Sequence, residues 1–288
     1  MKLTHRAAVV PVAAVVSVLA AFTFAAPAGG APVTAVPSVK VTATVAVGAR
    51  PLAVAVNPLA NTVYVANAHG HSVSVVNGQT NTVVATVPVR RLPQGVAVNQ
   101  ATGRIYVANT NSGTVSVING QTNTVVATVP VGAFPQGVAV DPRTSTVYVA
   151  NENSGTVSVI NGQTNTVVAT IPVGGVPVGV AANPVTGRIY VTSDGTEAVS
   201  VISEQTNTVV ATIGVGHAPV GVAVNPRTNT IYVANEVSNS VSVISGRTNT
   251  VKATVRHVPT PAAVAVNPAT NVIYVTNAFQ NTVSVLAG

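Results

Sequence analysis

Histidines and carboxylates are the side chains of this chain that could carry out acid–base chemistry or hold a metal ion. Asp194 and Glu197 lie three residues apart, His69 and His71 are separated by one glycine, and His217 follows at a distance. Enzymes that hydrolyse a glycosidic bond usually use a pair of carboxylates, and histidines bind zinc together with carboxylates. A hydrolase or lyase that uses the carboxylates and His217 is therefore one interpretation of the sequence.

The spacing of these residues gives weak support to catalysis or metal binding. His69 and His71 alternate across a loop, so their ring nitrogens are not expected to face one metal ion. Asp194 and Glu197 form only a short pair in a chain with six acidic residues, and Glu152 lies one repeat away. The sequence contains no cysteine, no Gly-x-Ser-x-Gly, no His-Glu-x-x-His and no phosphate-binding loop. We therefore predict a protein without a metal or cofactor and keep the enzyme as the alternative.

These residues belong to an array of repeats whose period indicates the fold class. The repeats are 42 residues long, and each contains one tyrosine at the same position: Tyr64, Tyr106, Tyr148, Tyr190, Tyr232 and Tyr274. Each copy contains short apolar runs separated by turn residues, and one small sheet cannot bury both faces unless it stacks on its neighbours. The period predicts an all-β protein in which each repeat is a four-stranded blade of a β-propeller. The six tyrosines lie in the middle of predicted strands and are expected in the core.

The ends of the repeat array predict how the ring closes. In the second repeat, apolar runs occupy residues 95–98, 104–109, 114–118 and 124–129, whereas the last repeat stops after its third run at 282–286. The segment Lys40–Val47 lies one period before the fourth run of the first repeat, Thr82–Val89. A strand at Lys40–Val47 would complete the last blade. The sequence therefore predicts a six-bladed β-propeller whose last blade is closed by the N-terminal strand.

The first 31 residues have the organisation of a secretory signal peptide. Lys2 and Arg6 precede an uncharged stretch from residue 7 to residue 26, and an Ala-Pro-Ala segment follows. Cleavage is expected after Ala28 or Ala31, and residues 32–288 form the predicted propeller, without a membrane span. We expect a monomer that is secreted, extracellular or loosely associated with the cell surface.

A tetrapeptide that begins at the repeat tyrosine carries a resemblance to a known family. Tyr-Val-Ala-Asn or Tyr-Val-Thr-Asn begins at five of these tyrosines and is followed by a Ser-Val run and mostly by Thr-Asn-Thr-Val, while the fourth copy ends in Ser193 instead of Asn. These phrases resemble the YVTN-type β-propeller repeats of surface-layer and other exported microbial proteins. The better-known relatives have seven blades. The resemblance implies secretion and a binding or scaffolding role, and it supplies no catalytic residues.

Differences between the copies fall mainly on one face of the predicted ring, which we call the loop face. In an up-and-down blade, the loops between the second and third strands emerge on the same side as the loops between blades. These loops hold the candidate ligand-binding residues, which are Arg50, His69, His71, Arg90, Arg91, Phe134, Glu152, Asp194, Glu197, His217 and Glu236. Variable loops on a rigid scaffold are where binding usually occurs. The opposite face, the turn face, repeats Asn-Pro and Asn-Gly-Gln-Thr-Asn turns, for which turn chemistry is a sufficient explanation.

The charge of the chain indicates a class of partner. The formal net charge of +7 becomes +5 if Lys2 and Arg6 are removed, because eleven basic residues then remain against six acidic ones. A basic surface attracts anionic polymers. Nucleic acid is disfavoured as the partner because aromatic residues, on which bases stack, make up only 3 % of the chain. We predict a non-catalytic binding scaffold whose loop face contacts a protein or an anionic cell-envelope polymer.

Overall fold

The computed structural model describes residues 43–288, so the signal peptide predicted at residues 1–31 lies outside the described residues. The described part contains six antiparallel sheets and three single 3₁₀ turns. First strands from all six sheets line one central channel, so the sheets form a ring. The prediction of a six-bladed β-propeller is confirmed. No helix within residues 43–288 is long and apolar enough to span a membrane.

The strands follow the repeat along the chain. Blade one comprises β1 (Pro51–Asn57), β2 (Thr62–Asn67), β3 (Ser72–Asn77) and β4 (Thr82–Pro88). Blade two comprises β5 (Pro93–Asn99), β6 (Arg104–Asn109), β7 (Thr114–Asn119) and β8 (Thr124–Pro130). Blade three comprises β9 (Pro135–Asp141), β10 (Thr146–Asn151), β11 (Thr156–Asn161) and β12 (Thr166–Pro172). The strands of blade two contain the four predicted apolar runs.

The remaining blades keep the same order. Blade four comprises β13 (Pro177–Asn183), β14 (Arg188–Ser193), β15 (Ala198–Ser203) and β16 (Thr208–Gly214). Blade five comprises β17 (Pro219–Asn225), β18 (Thr230–Asn235), β19 (Ser240–Ser245) and β20 (Thr250–Arg256). Blade six comprises β21 (Pro261–Asn267), β22 (Val272–Asn277) and β23 (Thr282–Ala287) in the described residues. The 3₁₀ turns are Thr110–Ser112, Glu152–Ser154 and Asp194–Thr196, each between the second and third strands of its blade.

Apolar cores lie between neighbouring blades. Five clusters of buried residues join blades one to six in sequence within the described part, and in the first of them Tyr64 and Val73 of blade one pack with Ile105 and Ile118 of blade two. Each Val or Ile buried in this way contributes about 1.5–3 kcal/mol. Five of the repeat tyrosines are at most 4 % exposed. Burial raises the pKa of each of these five hydroxyls, as expected for core residues.

Glycines in the first strands allow the blades to approach one another closely around the channel. A Cβ atom on Gly137 would lie 2.6 Å from the carbonyl oxygen of Val178, and one on Gly221 would lie 2.6 Å from that of Ala262. These distances are too short for any side chain, so Gly137 and Gly221 have to be glycine where the backbones of adjacent blades meet. Blades one and six have Ala53 and Ala263 at the same repeat position.

The junction between blades six and one is more open than the other five. Tyr274 is 37 % exposed, and Val283 and Val285 on β23 are 55 % and 53 % exposed. The prediction that all six tyrosines are core residues is therefore wrong for Tyr274, because no core cluster within residues 43–288 covers that side of blade six. Of the predicted closing strand Lys40–Val47, residues 40–42 lie outside the described residues and residues 43–47 have no strand assignment.

Candidate functional site

The loops of the loop face are connected by one backbone hydrogen bond in every blade. The N–H group of the residue after the second strand donates to the carbonyl oxygen of the residue before the first-strand proline, at 2.9–3.0 Å. The donors are Ala68, Thr110, Glu152, Asp194, Glu236 and Ala278, and the acceptors are Arg50, Leu92, Phe134, Val176, Ala218 and Thr260. The two sets of loops therefore lie on one face, as the order of the strands predicts.

The acceptor residues also have an unusual backbone conformation. Five of the six have a positive φ between 38° and 56°, and these are Arg50, Leu92, Phe134, Ala218 and Thr260. Residues other than glycine rarely adopt this conformation, which costs about 1–3 kcal/mol and persists only where the surroundings enforce it. In blade four Gly174 and Gly175 take positive φ instead. The side chains at these positions are thus presented by a rigid backbone, a feature that the sequence alone did not indicate.

The basic sector of the loop face consists of Arg50, His69, His71, Arg90 and Arg91. The structure brings the first two together, because Nη1 of Arg50 donates to Nε2 of His69 at 2.9 Å. Nδ1 of His71 accepts a hydrogen bond from the Leu92 N–H at 3.2 Å. Arg90 and Arg91 are exposed and form no ion pair within the described part. Two guanidinium groups are therefore available here for an anion.

A pocket of about 480 Å³ opens between blades two and three beside the basic sector. It is lined by Arg91, Phe134, Thr110, Asn111, Gly113 and Ala133. Phe134 is 40 % exposed, and the Thr110 hydroxyl donates to the carbonyl oxygen of Pro135 at 2.8 Å. A cationic group and an exposed ring in one pocket can bind a ligand that combines an anion with an apolar portion.

The acidic sector lies across blades three to five, where Glu152, Asp194 and Glu236 occupy the same repeat position. Glu152 accepts a hydrogen bond from the side-chain amide of Gln136. Desolvation raises the pKa of Asp194, and the neighbouring charge of Glu197 raises it further. Desolvation likewise raises the pKa of Glu236, with a smaller contribution from Asp194. The Asp194 and Glu236 carboxylates thus repel each other across adjacent blades.

His217 and Glu197 contact each other in the acidic sector. Nδ1 of His217 lies 2.6 Å from Oε1 of Glu197, and both side chains are more than half exposed. The His217 backbone N–H donates to the Ser238 hydroxyl at 2.7 Å, which fixes the loop. Among residues 43–288, no group of three or more histidine, aspartate or glutamate side chains is arranged to hold a metal ion.

The candidate residues therefore form two separate groups. One group contains Arg50, His69, His71, Arg90, Arg91 and Phe134, and the other contains Glu152, Asp194, Glu197, His217 and Glu236. The turn face shows the predicted turn chemistry, since Oδ1 of Asn57 accepts from the Leu59 N–H at 3.1 Å and Oδ1 of Asn119 accepts from the Gln121 N–H at 2.8 Å.

Comparisons with known proteins support the propeller and leave its activity open. The family model of the NHL repeat matches residues 91–118, a stretch within blade two and the loop before it. No curated protein matches the sequence of this chain. Among solved structures, the chain is similar to the hydrazine synthase of Kuenenia stuttgartiensis, with 18 % identity, 87 % of this chain and 99 % of that chain covered, and a TM-score of 0.60. This likeness shows the fold alone, and the NHL match places residues 91–118 among propeller repeats.

Proposed function

We propose that this protein is an exported, non-catalytic β-propeller of the YVTN type that uses its loop face to bind a protein or an anionic polymer of the cell envelope. One observation carries the proposal. The residues that differ from one repeat to the next are concentrated on a face whose backbone is held by the same hydrogen bond in all six blades. A preorganised face loses little conformational entropy on binding. The basic sector and the pocket beside it are the anion-binding part of that face.

Removal of the basic sector tests the proposal. Arg50, Arg90 and Arg91 changed together to alanine should reduce retention of the protein by the cell-envelope fraction of the producing organism about tenfold, and should weaken the salt dependence of retention. The melting temperature should change little, because substitutions at exposed positions usually alter stability by less than about 0.5 kcal/mol. Cosedimentation at several salt concentrations measures the retention.

A matched variant on the turn face controls for net charge. Arg188, Arg227 and Arg247 changed together to alanine remove the same charge from the opposite side and should leave retention close to that of the parent. If the two triple variants lose retention equally, overall charge and not the loop face is responsible. Unchanged retention of the first variant would exclude the basic sector as the binding site.

A hydrolase or lyase remains the second candidate, favoured by the contact between His217 and Glu197 and by the raised pKa of Asp194. A carboxyl group with a raised pKa can serve as a general acid at a higher pH than an ordinary one. Turnover of envelope polysaccharide by the parent, lost on Glu152→Ala, Asp194→Ala or Glu197→Ala, would support the enzyme. A parent protein without turnover supports the scaffold.

A further inference from the structure

An apolar well occupies the turn-face end of the central channel, opposite the loop face. Its volume is about 100 Å³, and all six first strands contribute to its wall. Apart from one glutamine, the lining residues are alanine, valine and proline. Apolar walls of this kind gain by excluding water, and an engineered apolar cavity of about 150 Å³ in another protein binds benzene. The well therefore fits an aliphatic group somewhat smaller than benzene.

Two of its lining residues depart from the repeat. Ala182 of blade four stands where the other five blades have valine, and Gln100 of blade two stands where they have proline. Alanine has two methyl groups fewer than valine, so the side chain at this place in the wall is smaller than in the other five blades. Gln100 provides a side-chain amide in the wall that can donate and accept hydrogen bonds. Because the other repeats have valine and proline at these two positions, the wall of the well differs in shape and in polarity at blades four and two.

Two arginines lie in the ring of residues around the mouth of the well. In each blade, the second residue after the end of the first strand belongs to a ring at this end of the channel. The six residues of this ring are Leu59, Ala101, Arg143, Val185, Arg227 and Ala269. Arg143 forms an ion pair with the buried Asp141, at 3.4 Å. Arg227 is exposed and has no ion pair within residues 43–288. The other acidic group of this face, Glu204, accepts a hydrogen bond from Thr144. An anion near the well would therefore meet Arg227 with little competition.

We propose that the turn-face well binds a short branched aliphatic carboxylate. The aliphatic group lies against the apolar wall that includes Ala182, and the carboxylate lies toward the turn-face mouth of the well, which has Arg227 on one side and the Gln100 amide on the other. Apolar walls account for the tail, the arginine accounts for the charge, and the volume limits the tail to about four or five carbon atoms. This site lies at the opposite end of the channel from the loop face and does not depend on the function proposed for that face.

The probe for this site is 3-methylbutanoate, with 3-methylbutanol and acetate as matched compounds that lack the charge or the branched tail. Calorimetric titration of the protein should show binding of 3-methylbutanoate. Both matched compounds should bind about tenfold more weakly, because each loses one of the two interactions. Equal binding of acetate would overturn the role of the well, and the absence of binding by 3-methylbutanoate would overturn the proposal.

Variants that restore the repeat make the test specific. Ala182→Val introduces the residue of the other five blades, so folding should be retained while affinity for 3-methylbutanoate falls about tenfold. Arg227→Gln should weaken binding about threefold to tenfold and reduce its salt dependence, whereas Arg247→Gln, on an outer turn of the same face, should have no effect. If Ala182→Val does not fold, Gln100→Pro provides the second restoring variant and should also weaken binding. Unchanged affinity in the restoring variant that folds would contradict the proposal.

Discussion

Asp194 and Glu236 carry an electrostatic cost on the loop face, because each is partly desolvated and close to another negative charge. Desolvation is the larger cause that raises the pKa of both carboxyl groups, and repulsion by a neighbouring carboxylate is the smaller one. A raised pKa in the folded state means that the native protein binds the proton more tightly than the unfolded chain does. Stability is therefore greatest below the ordinary carboxyl pKa and falls as the pH rises through the raised value. A partner that places a cationic group beside these carboxylates on the loop face would relieve this destabilisation.

Replacement of Glu236 by glutamine should remove this cost. At pH 7 we expect Glu236→Gln to increase the free energy of unfolding by a few tenths of a kcal/mol, a small value because the carboxyl group is partly solvated and screened. At about pH 3 the parent carboxyl is protonated and the difference should disappear. Urea unfolding at the two pH values measures both quantities. A destabilised variant at pH 7, or an equal gain at both pH values, would contradict the assigned cause.

The asparagine of the repeat tetrapeptide forms hydrogen bonds that depend on how two strands of a blade pair. In five blades its side-chain amide donates to two hydroxyl groups of the third strand; in blade three, Asn151 reaches Thr156 at 3.1 Å and Ser158 at 2.9 Å. The sequence predicted the strands well, because apolar runs and turn residues repeat six times. It did not predict this bond, since only the register of β10 on β11 brings the three side chains together.

Loss of that amide should destabilise the blade. Asn151→Ala removes both bonds and leaves the buried Ser158 hydroxyl without this donor, which should cost about 1–3 kcal/mol. For a domain of this size, such a loss lowers the melting temperature by several degrees, at about 2–4 °C per kcal/mol. Thr164→Ala, in an exposed turn of the same blade, should change it by less than about 0.5 kcal/mol. Thermal and urea unfolding distinguish the two, and equal stability of both variants would show that the asparagine is dispensable.

At the scale of the whole molecule, the sequence predicted the loop face but not the turn-face well. The order of strands in one blade determines which loops share a side, so residues as distant as Arg50 and His217 could be assigned to one face from the repeat alone. Ala182 and Gln100 are different. They lie in different blades and look like minor changes in one strand and one turn, and only the ring of first strands places them in one wall.

The junction between blades six and one is the most open part of the ring in the described residues. Blade six has three strands in the described residues, and its outward side exposes Tyr274, Val283 and Val285. The equivalent residues of blade one, Tyr64, Val73 and Val75, are at most 1 % exposed. An exposed apolar strand edge is a template for pairing with another chain. The predicted closing strand Lys40–Val47 is the segment of this chain that would cover it.

We therefore expect the start of the chain to decide whether the protein is a stable monomer. A protein that begins at Gly48 should aggregate or dimerise through β23. A buried Val contributes about 1.5–3 kcal/mol, whereas a whole domain is stable by only about 5–15 kcal/mol. Loss of Val41, Val45 and Val47 would therefore remove a large share of the stability of the domain. A protein that begins at Val36 retains the segment and should behave as residues 32–288 do. Light scattering after gel filtration and thermal unfolding compare the two. A soluble monomer that begins at Gly48 and melts at the same temperature would show that the ring is closed without residues 40–47.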